Sequence, residues 1–501
     1  MADFAYHFDR VKGFYGHDWR ATESFARAAK EIHYPDDRRA LLVAALLAQN
    51  GPSETLDRLA RPGTVAVVTG QQVGLFSGPA YTVYKALSAA SLARQLTARG
   101  IEAVPVFWLA TEDHDFAEVD HVWLFGGVNE PAMIRLAQAA NGKPGPVGHI
   151  TISEPPIGEL RASLSGLPHS DEVVAMVEQA YRPGVTMGEG FHALLKNILN
   201  KAGLLYLDPL DPAIREIGAP FMRKALTSAT ELRGLLTQRN QELANSGYHA
   251  QVHVDAKTSL FFLLEKGART PLRLRDEEYA ALAERAEQVS PNALLRPVWQ
   301  DFLLPSVAYI GGPGELAYLA QSQVIYQELL GHMPVSVPRN SFTILDGHSQ
   351  KLLDRLGIPV QHAFVPEQAF RDRFAQAAAP PALRQAMVHT TDEVRAKLEG
   401  LRDQLKSFDP TLADSLEKSQ AKILYQLKKV ASKAAREYLR RDQRAAMDAR
   451  RLTNLVYPHR HPQERFYSVL PLLAKHGTYL IDQLSSVVDV GCPDHRVLIL
   501  H

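Results

Sequence analysis

The strongest constraint on the fold is a strand–helix–strand pattern in the first quarter of the chain. Two short runs rich in β-branched residues, 65–70 (VAVVTG) and 104–110 (VPVFWLA), flank a segment, 79–99, in which apolar side chains recur at helical spacing. A unit of this kind is parallel and right-handed. Ligands of such sheets bind at the carboxyl ends of the strands. The pattern therefore predicts an α/β fold with a parallel sheet and a ligand site near residues 69–70 and 110–111.

Further apolar segments extend the predicted sheet. Residues 204–209 (LLYLDP) and 306–312 (SVAYIGG) are typical of buried strands that end in loops. Residues 249–254 and 260–275 indicate exposed or hairpin strands, the second with its turn at Gly267, and we assign them to an insertion.

Composition limits the class of partner. The 55 Lys and Arg balance the 55 Asp and Glu, which argues against a global surface for nucleic acid or an anionic membrane. Cys492 is the single cysteine, so an internal disulfide or a cysteine-rich metal site is excluded. The start of the chain lacks a signal-peptide pattern, and the apolar run at 41–48 is too short to span a bilayer. We expect a cytoplasmic protein with a small-molecule partner.

The composition changes from about residue 385, where charged residues are frequent and apolar residues recur every seven positions. The first seam contains Met387, Val394, Leu401 and Phe408, and a second, after Asp409-Pro410, contains Leu416, Ile423 and Val430. Such seams predict an antiparallel helical coiled-coil hairpin over 385–451, with 452–501 returning to the core. Two surface helices on a globular core are the alternative.

The first candidate ligand site is the glycine-rich turn after the first strand. Glycines spaced four apart let backbone amides approach an anion near the start of a helix. The turn is neither a Walker loop nor a dinucleotide fingerprint, and a packing turn without ligand is the alternative. Lys85 in the following helix could contact a phosphate or be solvated. The candidate binding residues here are Thr69, Gly70, Gln71, Gln72, Gly74, Ser77, Gly78, Tyr81 and Lys85.

The second candidate is the group Glu112, Asp113, His114 and Asp115, which directly follows the second strand. Carboxylates and an imidazole at a strand end provide acid–base or metal-binding capacity, and we predict that these four residues are catalytic. A solvated loop is the alternative. If a helix continued from here, His114, Glu118 and His121 would share one face and could bind a divalent metal, or the acidic residues could simply cap the helix.

A third glycine motif follows the strand at 306–312. Gly311, Gly312 and Gly314 could present amides to an anion, with Glu315 available for an amine, or could form only a tight turn. Arg296 and Asp301 are candidates for lining the same cleft. The basic, histidine-rich segment 457–465 is either a solvated connection or a further site.

Four segments together resemble the BshC family, to which cysteine ligation in bacillithiol biosynthesis is ascribed. The resemblance implies a Rossmann-like core, similar to class I aminoacyl-tRNA synthetases, within 1–384. It also implies connecting insertions, roughly at 122–200 and 245–290, and a coiled coil that forms a homodimer. The segments are 69–93, 104–121, 295–321 and 461–468.

The resemblance also implies an activity, the joining of the cysteine carboxyl group to the amine of glucosaminyl-malate, and an association with ATP or ADP. Because a free carboxylate must be activated first, we expect the turn at 70–78 to hold phosphates and the acidic group to hold Mg²⁺ or the cysteine ammonium. His114 is the expected general base. Gln71 and Gln72 stand where the synthetases place a His-Ile-Gly-His signature. A non-catalytic nucleotide- or thiol-binding scaffold, or a metal-dependent hydrolase, is the alternative.

Overall fold

The computed structural model describes most of the chain, which forms two compact units. The described residues are 1–126, 130–137, 145–255, 258–272 and 276–500. Unit 1 comprises 1–127, 132–341 and 467–495, and unit 2 comprises 128–131, 342–466 and 496–501. Residues 342–384, which we predict from the sequence to belong to the core, thus belong to the unit that contains the long helices.

The strands of the described residues, in chain order, are β1 (Val65–Gln72), β2 (Ala103–Ala110), β3 (His121–Phe125), β4 (Pro131–Arg135), β5 (Leu205–Leu207), β6 (Phe261–Glu265), β7 (Ala268–Pro271), β8 (Val289–Pro291), β9 (Ser306–Gly311), β10 (Val335–Pro338), β11 (Ser341–Asp346) and β12 (His495–Leu500).

The α-helices are α1 (Ala2–Tyr6), α2 (Thr22–Glu31), α3 (Asp36–Asn50), α4 (Glu54–Leu59), α5 (Tyr81–Ala98), α6 (Phe116–Val119), α7 (Ile157–Leu164), α8 (Ser170–Ala180), α9 (Met187–Ile198), α10 (Pro212–Thr227), α11 (Ala229–Asn245), α12 (Asp276–Leu282), α13 (Arg296–Leu303), α14 (Pro313–Leu329), α15 (Gly347–Leu356), α16 (Glu367–Ala378), α17 (Pro381–Phe408), α18 (Pro410–Arg441), α19 (Gln443–Val456), α20 (Gln463–Phe466), α21 (Leu470–His476) and α22 (Leu480–Val487). Among the helices of the described residues, none is long and apolar enough to cross a membrane.

The centre of unit 1 is a five-stranded sheet in the order β10-β9-β1-β2-β5, and all four neighbouring pairs are parallel. The predicted parallel sheet is confirmed, and each of the four predicted buried strands is present. Strand β10 was not predicted, because its four residues are too few to give a recognisable strand pattern in the sequence. β1 and β2 are buried almost throughout, and β2 and the first half of β1 are apolar, because both faces of the sheet are covered.

The strand order creates a switch point between β1 and β9. From β1 the chain crosses through α5 to β2, towards one end of the strand order. From β9 it crosses through α14 to β10, towards the opposite end. Since both crossovers run right-handed, their helices lie on opposite faces of the sheet, and a crevice opens outside the carboxyl ends of β1 and β9. This edge is where a ligand of such a sheet binds.

The predicted hairpin in the insertion is confirmed over its described part. Strands β6 and β7 pair antiparallel, and β8 pairs with the other edge of β6. Lys266 and Gly267 form the turn with positive φ values of 51° and 74°. Residues 273–275 of the predicted hairpin segment, and residues 127–129 and 138–144 of the insertion predicted at 122–200, lie outside the described residues.

The strand predicted at 249–254 is wrong. In place of a neighbouring strand, the buried Gln321 satisfies the backbone of Val252, because its Oε1 accepts from the Val252 amide at 2.9 Å and its Nε2 donates to the Val252 carbonyl at 2.8 Å. A glutamine side chain thus takes the place of a strand partner, which local alternation of residues cannot reveal.

Unit 2 contains the predicted coiled-coil hairpin. Helices α17 and α18 pack along each other and are joined at Asp409, whose carboxylate caps α18 by accepting from the Thr411 amide at 2.8 Å. Several apolar positions of the hairpin are exposed, among them Leu401, Ile423 and Val430, at 43%, 41% and 54%. The two helices therefore do not cover their own seam completely.

Candidate active site

The switch point brings together two of the predicted glycine motifs. Lys85, in the second turn of α5, is fully buried. Its ammonium donates to the Gly70 carbonyl at the end of β1, to Gln71 Oε1 at 3.3 Å, and to both Glu315 carboxylate oxygens at 2.8 and 2.7 Å. The alternative of a lysine side chain in solvent is wrong, because the side chain is buried against the end of β1.

Glu315 is held as a carboxylate. It caps its own helix by accepting from the Gly312 amide at 2.8 Å, and it accepts from the Tyr309 hydroxyl at 2.7 Å. Burial acts to raise the pKa of Glu315, but Lys85 and these two donors outweigh it and hold the pKa below its ordinary value. Burial lowers the pKa of Lys85, and Glu315 opposes that shift. The Lys85 side chain is fully buried and that of Glu315 is 24% exposed, so the two form a largely buried ion pair at the centre of the switch point.

Two arginines surround this pair. Arg296 donates to the hydroxyls of Tyr309 and Tyr318 at 3.4 and 3.2 Å, and the Arg339 guanidinium lies 5.1 Å from the centre of the Tyr81 ring. We call the group formed by Gln71, Tyr81, Lys85, Arg296, Tyr309, Glu315, Tyr318 and Arg339 the switch-point cluster. It holds three cationic side chains against one carboxylate and is therefore suited to an anionic ligand.

Asp301, a candidate for lining the same cleft, lies inside the protein. Its carboxylate accepts from Gln300 Nε2 at 3.1 Å and from the Tyr326 hydroxyl. The side chain is almost fully buried, and burial raises its pKa. Asp301 therefore holds α13 against α14 and does not line the cleft.

The turn at 70–78 is mostly occupied by packing. A Cβ at Gly70 would lie 2.8 Å from the Trp108 carbonyl oxygen, so glycine is required for β1 and β2 to approach. The amides of Gly74, Gly78 and Ala80 already donate to protein carbonyls at 2.9, 3.0 and 2.7 Å. The Ser77 side chain is also buried. The phosphate role of this turn stays a prediction, and its geometry favours packing.

Adjacent glutamines join the switch point to the acidic group after β2. Gln72 pairs with Ala110 in the sheet register, and its Nε2 donates to Asp113 Oδ2 at 2.5 Å and to Glu118 Oε2 at 2.8 Å. Because successive side chains of a strand point to opposite faces, Gln71 contacts the switch-point cluster and Gln72 contacts the acidic group. Thr69, one residue earlier, donates to the Ile310 carbonyl at 2.9 Å and ties β1 to β9.

Glu112 lies behind this edge. It is 4% exposed and forms an ion pair with Arg215, with 2.5 Å between Oε1 and Nη1. Burial raises the pKa of the Glu112 carboxyl, and the Arg215 and Arg269 guanidinium groups oppose the shift. The catalytic role of Glu112 stays a prediction, and the pairing favours a supporting one.

Asp113 and His114 are half-buried and Asp115 is exposed. Asp113 Oδ1 accepts from the His114 amide at 2.7 Å, which fixes the Asp113 side chain beside the backbone of the loop. His114 Nδ1 lies 3.0 Å from Nη1 of Arg269, which belongs to β7 of the insertion. These predicted residues thus reach the same edge as the glutamines, and the structure adds Arg269 to them.

Sequence reasoning missed a second neighbour of this edge, Asp208 at the end of β5. It accepts a hydrogen bond from the Thr111 hydroxyl, and burial raises its pKa. Its position directly after the predicted strand at 204–209 was the available signal, since the carboxyl ends of parallel strands meet at one edge.

The alternative of a metal-binding helix face formed by His114, Glu118 and His121 is wrong. Helix α6 ends at Val119, and His121 is the first residue of β3, where its Nδ1 lies 2.8 Å from Asp120 Oδ1. His114 precedes the helix. Throughout the part of the chain that the structure describes, no three His, Cys, Asp or Glu side chains are grouped so as to hold a metal ion.

The segment 457–465 acts as a connection within unit 2. Gln463 makes two hydrogen bonds to the backbone of Ile344, at 2.8 and 2.9 Å, and Glu464 Oε2 accepts from the Phe342 amide at 3.0 Å. Both side chains are buried. They form hydrogen bonds with backbone groups of β11. This favours the interpretation of the segment as a connection over that of a further site.

The fold and the site define a Rossmann-like α/β protein whose polar edge lies at the switch point of its sheet, with a coiled-coil unit. The model "Bacillithiol biosynthesis BshC, N-terminal Rossmann-like domain" matches residues 1–340, and "Bacillithiol biosynthesis BshC, C-terminal coiled-coil domain" matches residues 342–500. The chain belongs to the BshC family of bacillithiol biosynthesis.

Curated relatives match along nearly all of their own length. A protein of Solibacter usitatus is 50% identical over 100% of this chain and 97% of its own. Proteins of Koribacter versatilis and Salinibacter ruber are 35% and 29% identical, each over 99% of this chain and 96% and 95% of their own. All three carry the name "Putative cysteine ligase BshC".

Proposed function

We propose that the chain is a cysteine ligase that joins the carboxyl group of cysteine to the amine of glucosaminyl-malate. Family membership and the name of the relatives support this assignment. The observation that carries it is the pairing of a cation-rich cluster with an acidic group at one sheet edge, joined through Gln71 and Gln72. An anionic activating group and an ammonium group of the substrates would then lie side by side.

The reaction defines what this edge must do. A new C–N bond forms as the bond between the carbonyl carbon and its leaving oxygen breaks, and the amine gives up a proton. A bound nucleotide, ATP in our proposal, would supply the phosphate group that makes this oxygen a leaving group. Asp113 is placed to accept the proton, His114 lies beside it, and the carboxylate of Glu118 is suited to the cysteine ammonium.

The switch-point cluster fits the phosphates of a nucleotide better than the turn at 70–78 does. Lys85, Arg296 and Arg339 provide positive charge, and α14, a helix of 17 residues, begins beside them at Pro313. The Gly312 amide is already used by Glu315, so the arginine side chains and the later amides of the first turn would carry the contact.

Mg²⁺ fits this edge only as a companion of the nucleotide. Because the described residues contain no group of three ligands, a protein cage for the ion is missing from that part of the chain. Mg²⁺ commonly binds through one or two carboxylates together with substrate phosphates, so in our proposal it arrives with the phosphate groups.

We further propose that the protein is a cytoplasmic homodimer formed through the coiled coil. The exposed apolar positions Leu401, Ile423 and Val430 on the hairpin support the dimer, because covering them against a second copy would remove apolar surface from water.

The test is incubation of the full chain with cysteine, glucosaminyl-malate and ATP, with mass-spectrometric detection of the amide. We expect product from the wild type and a loss of about 100-fold or more in Asp113→Asn. Asp171→Asn, at a side chain that is 98% exposed, is the matched control and should keep full activity. Nucleotide binding without product under any of these conditions would refute the ligase and support the scaffold.

A further inference from the structure

Arg269 is a tightly fixed charged group that reaches the acidic edge from the insertion. It is 8% exposed, and its guanidinium stacks on the Phe262 ring at 3.9 Å. Nε donates to Ser290 Oγ at 3.2 Å, Nη2 donates to the Pro291 carbonyl at 2.8 Å, and Nη1 lies 3.0 Å from His114 Nδ1. Each nitrogen of the fork therefore has a partner of its own.

This geometry determines the tautomer of His114. Guanidinium nitrogens only donate hydrogen bonds, so Nδ1 must be the acceptor and cannot carry a proton. The proton of the neutral ring then lies on Nε2. The competing partner of Nδ1 is Asp113 Oδ1, which is farther away at 3.5 Å and already accepts from the His114 amide. The charged groups that face the ring are thus Arg269 and Asp113, and the nearer one sets the tautomer.

We infer that Arg269 is a positioning residue that holds His114 as a neutral imidazole with Nε2–H as its donor. His114 then donates to an oxygen of the reacting carboxyl group, where negative charge develops as the amine attacks, and Asp113 is left to accept the proton of the amine. The inference rests on the proposed function for the identity of that oxygen, and it replaces the general-base role expected for His114. The tautomer itself is independent of the reaction.

The tautomer is measured by NMR on the full chain labelled with ¹⁵N-histidine, at about pH 8, where an ordinary imidazole is neutral. Disappearance of one ring pattern in His114→Asn assigns the signal. We expect His114 to show a single Nε2–H form in the wild type. In Arg269→Met, which removes the donors and keeps the length of the side chain, a fraction of Nδ1–H form should appear because Asp113 becomes the remaining partner. In Arg269→Lys, which restores a donor, the Nε2–H form should predominate again.

Ligation kinetics provide the second readout. We expect kcat to fall about 100-fold in Arg269→Met with little change in KM for cysteine, because the lost interaction belongs to the transition state. Arg285→Met is the matched control, since Arg285 lies in the same insertion, is 45% exposed and pairs with Glu265. It should change neither readout.

An Nδ1–H or mixed form of His114 in the wild type would overturn the inference, and so would a tautomer or a kcat that Arg269→Met leaves unchanged. If the wild type makes no amide, the proposed function fails, but the NMR spectra still decide whether Arg269 sets the tautomer. If Arg269→Met lowers the unfolding temperature but keeps the wild-type NMR spectrum and the wild-type kcat, the role of Arg269 is purely structural.

Discussion

The ion pair between Lys85 and Glu315 offers the sharpest test of the switch point. In Lys85→Met, Glu315 keeps the Gly312 amide and the Tyr309 hydroxyl but loses its cation, while the Gly70 carbonyl and Gln71 lose a donor. Removing one partner of a buried pair costs about 3–5 kcal/mol. The Glu315 side chain is 24% exposed, which eases the cost, and the orphaned acceptors add to it. We expect unit 1 to lose about 4 kcal/mol.

The assay is urea unfolding followed by tryptophan fluorescence. The four tryptophans, Trp19, Trp108, Trp123 and Trp299, all lie in unit 1, so the signal reports that unit. Lys201→Met is the control, because Lys201 is 73% exposed and pairs with Asp482 at the surface, where such a pair contributes about 1 kcal/mol or less.

A double variant separates the pair from its surroundings. Lys85→Met with Glu315→Leu replaces both charges by apolar groups, which in other proteins is often neutral relative to the pair, so it should be more stable than Lys85→Met alone. Because Glu315 has a lowered pKa, its contribution is present above its ordinary value near 4.5 and is lost as pH falls through the lower folded value. The reasoning fails if the free energy of unfolding of Lys85→Met lies within about 1 kcal/mol of the wild-type value. It also fails if the losses measured for Lys85→Met and for Glu315→Leu separately add up to the loss of the double variant.

Gly70, His192 and Leu401 can each be tested by a substitution. Gly70→Ala should destabilise unit 1 by about 1–3 kcal/mol because its Cβ would meet the Trp108 carbonyl at 2.8 Å, and an unchanged unfolding midpoint would contradict the packing role. Burial lowers the pKa of His192 to about 4, so stability should fall as pH falls from about 6.5 to about 4, and His192→Phe should flatten that dependence in pH-resolved unfolding. Leu401→Lys should shift the proposed dimer towards monomer in light scattering at micromolar concentration, and identical masses for variant and wild type would count against the hairpin interface.

The elements of the fold were predictable because their signals are local. The runs at 65–70 and 104–110 are apolar on both faces, a glycine-rich turn follows the first and a group of charged residues follows the second, and heptad spacing marks the hairpin. Where a distant side chain replaced a local partner, as Gln321 does for the backbone of Val252, the same reasoning failed.

The candidate site was predictable only as a set of positions. Glu112, Asp113 and His114 were placed together by their spacing after a strand, but spacing alone assigned them similar roles. Burial distinguished them, because Glu112 is paired with Arg215 inside the protein whereas Asp113 and His114 are half-buried at the edge. Burial depends on what the rest of the chain packs against each side chain, and that information is spread over the whole sequence.

The sequence by itself determined the parallel sheet, the edge at which polar residues collect, the hairpin and the family. Only the tertiary structure decided which charges meet there. Lys85 and Glu315 are 230 residues apart, and His114 and Arg269 are 155 apart. Periodicity and turn chemistry act over a few residues and can be read locally, whereas these pairs form only when the crossovers return β9 and the insertion to the end of β1 and β2. The balanced net charge of the chain gave no sign of the three cations beside a single carboxylate at its switch point.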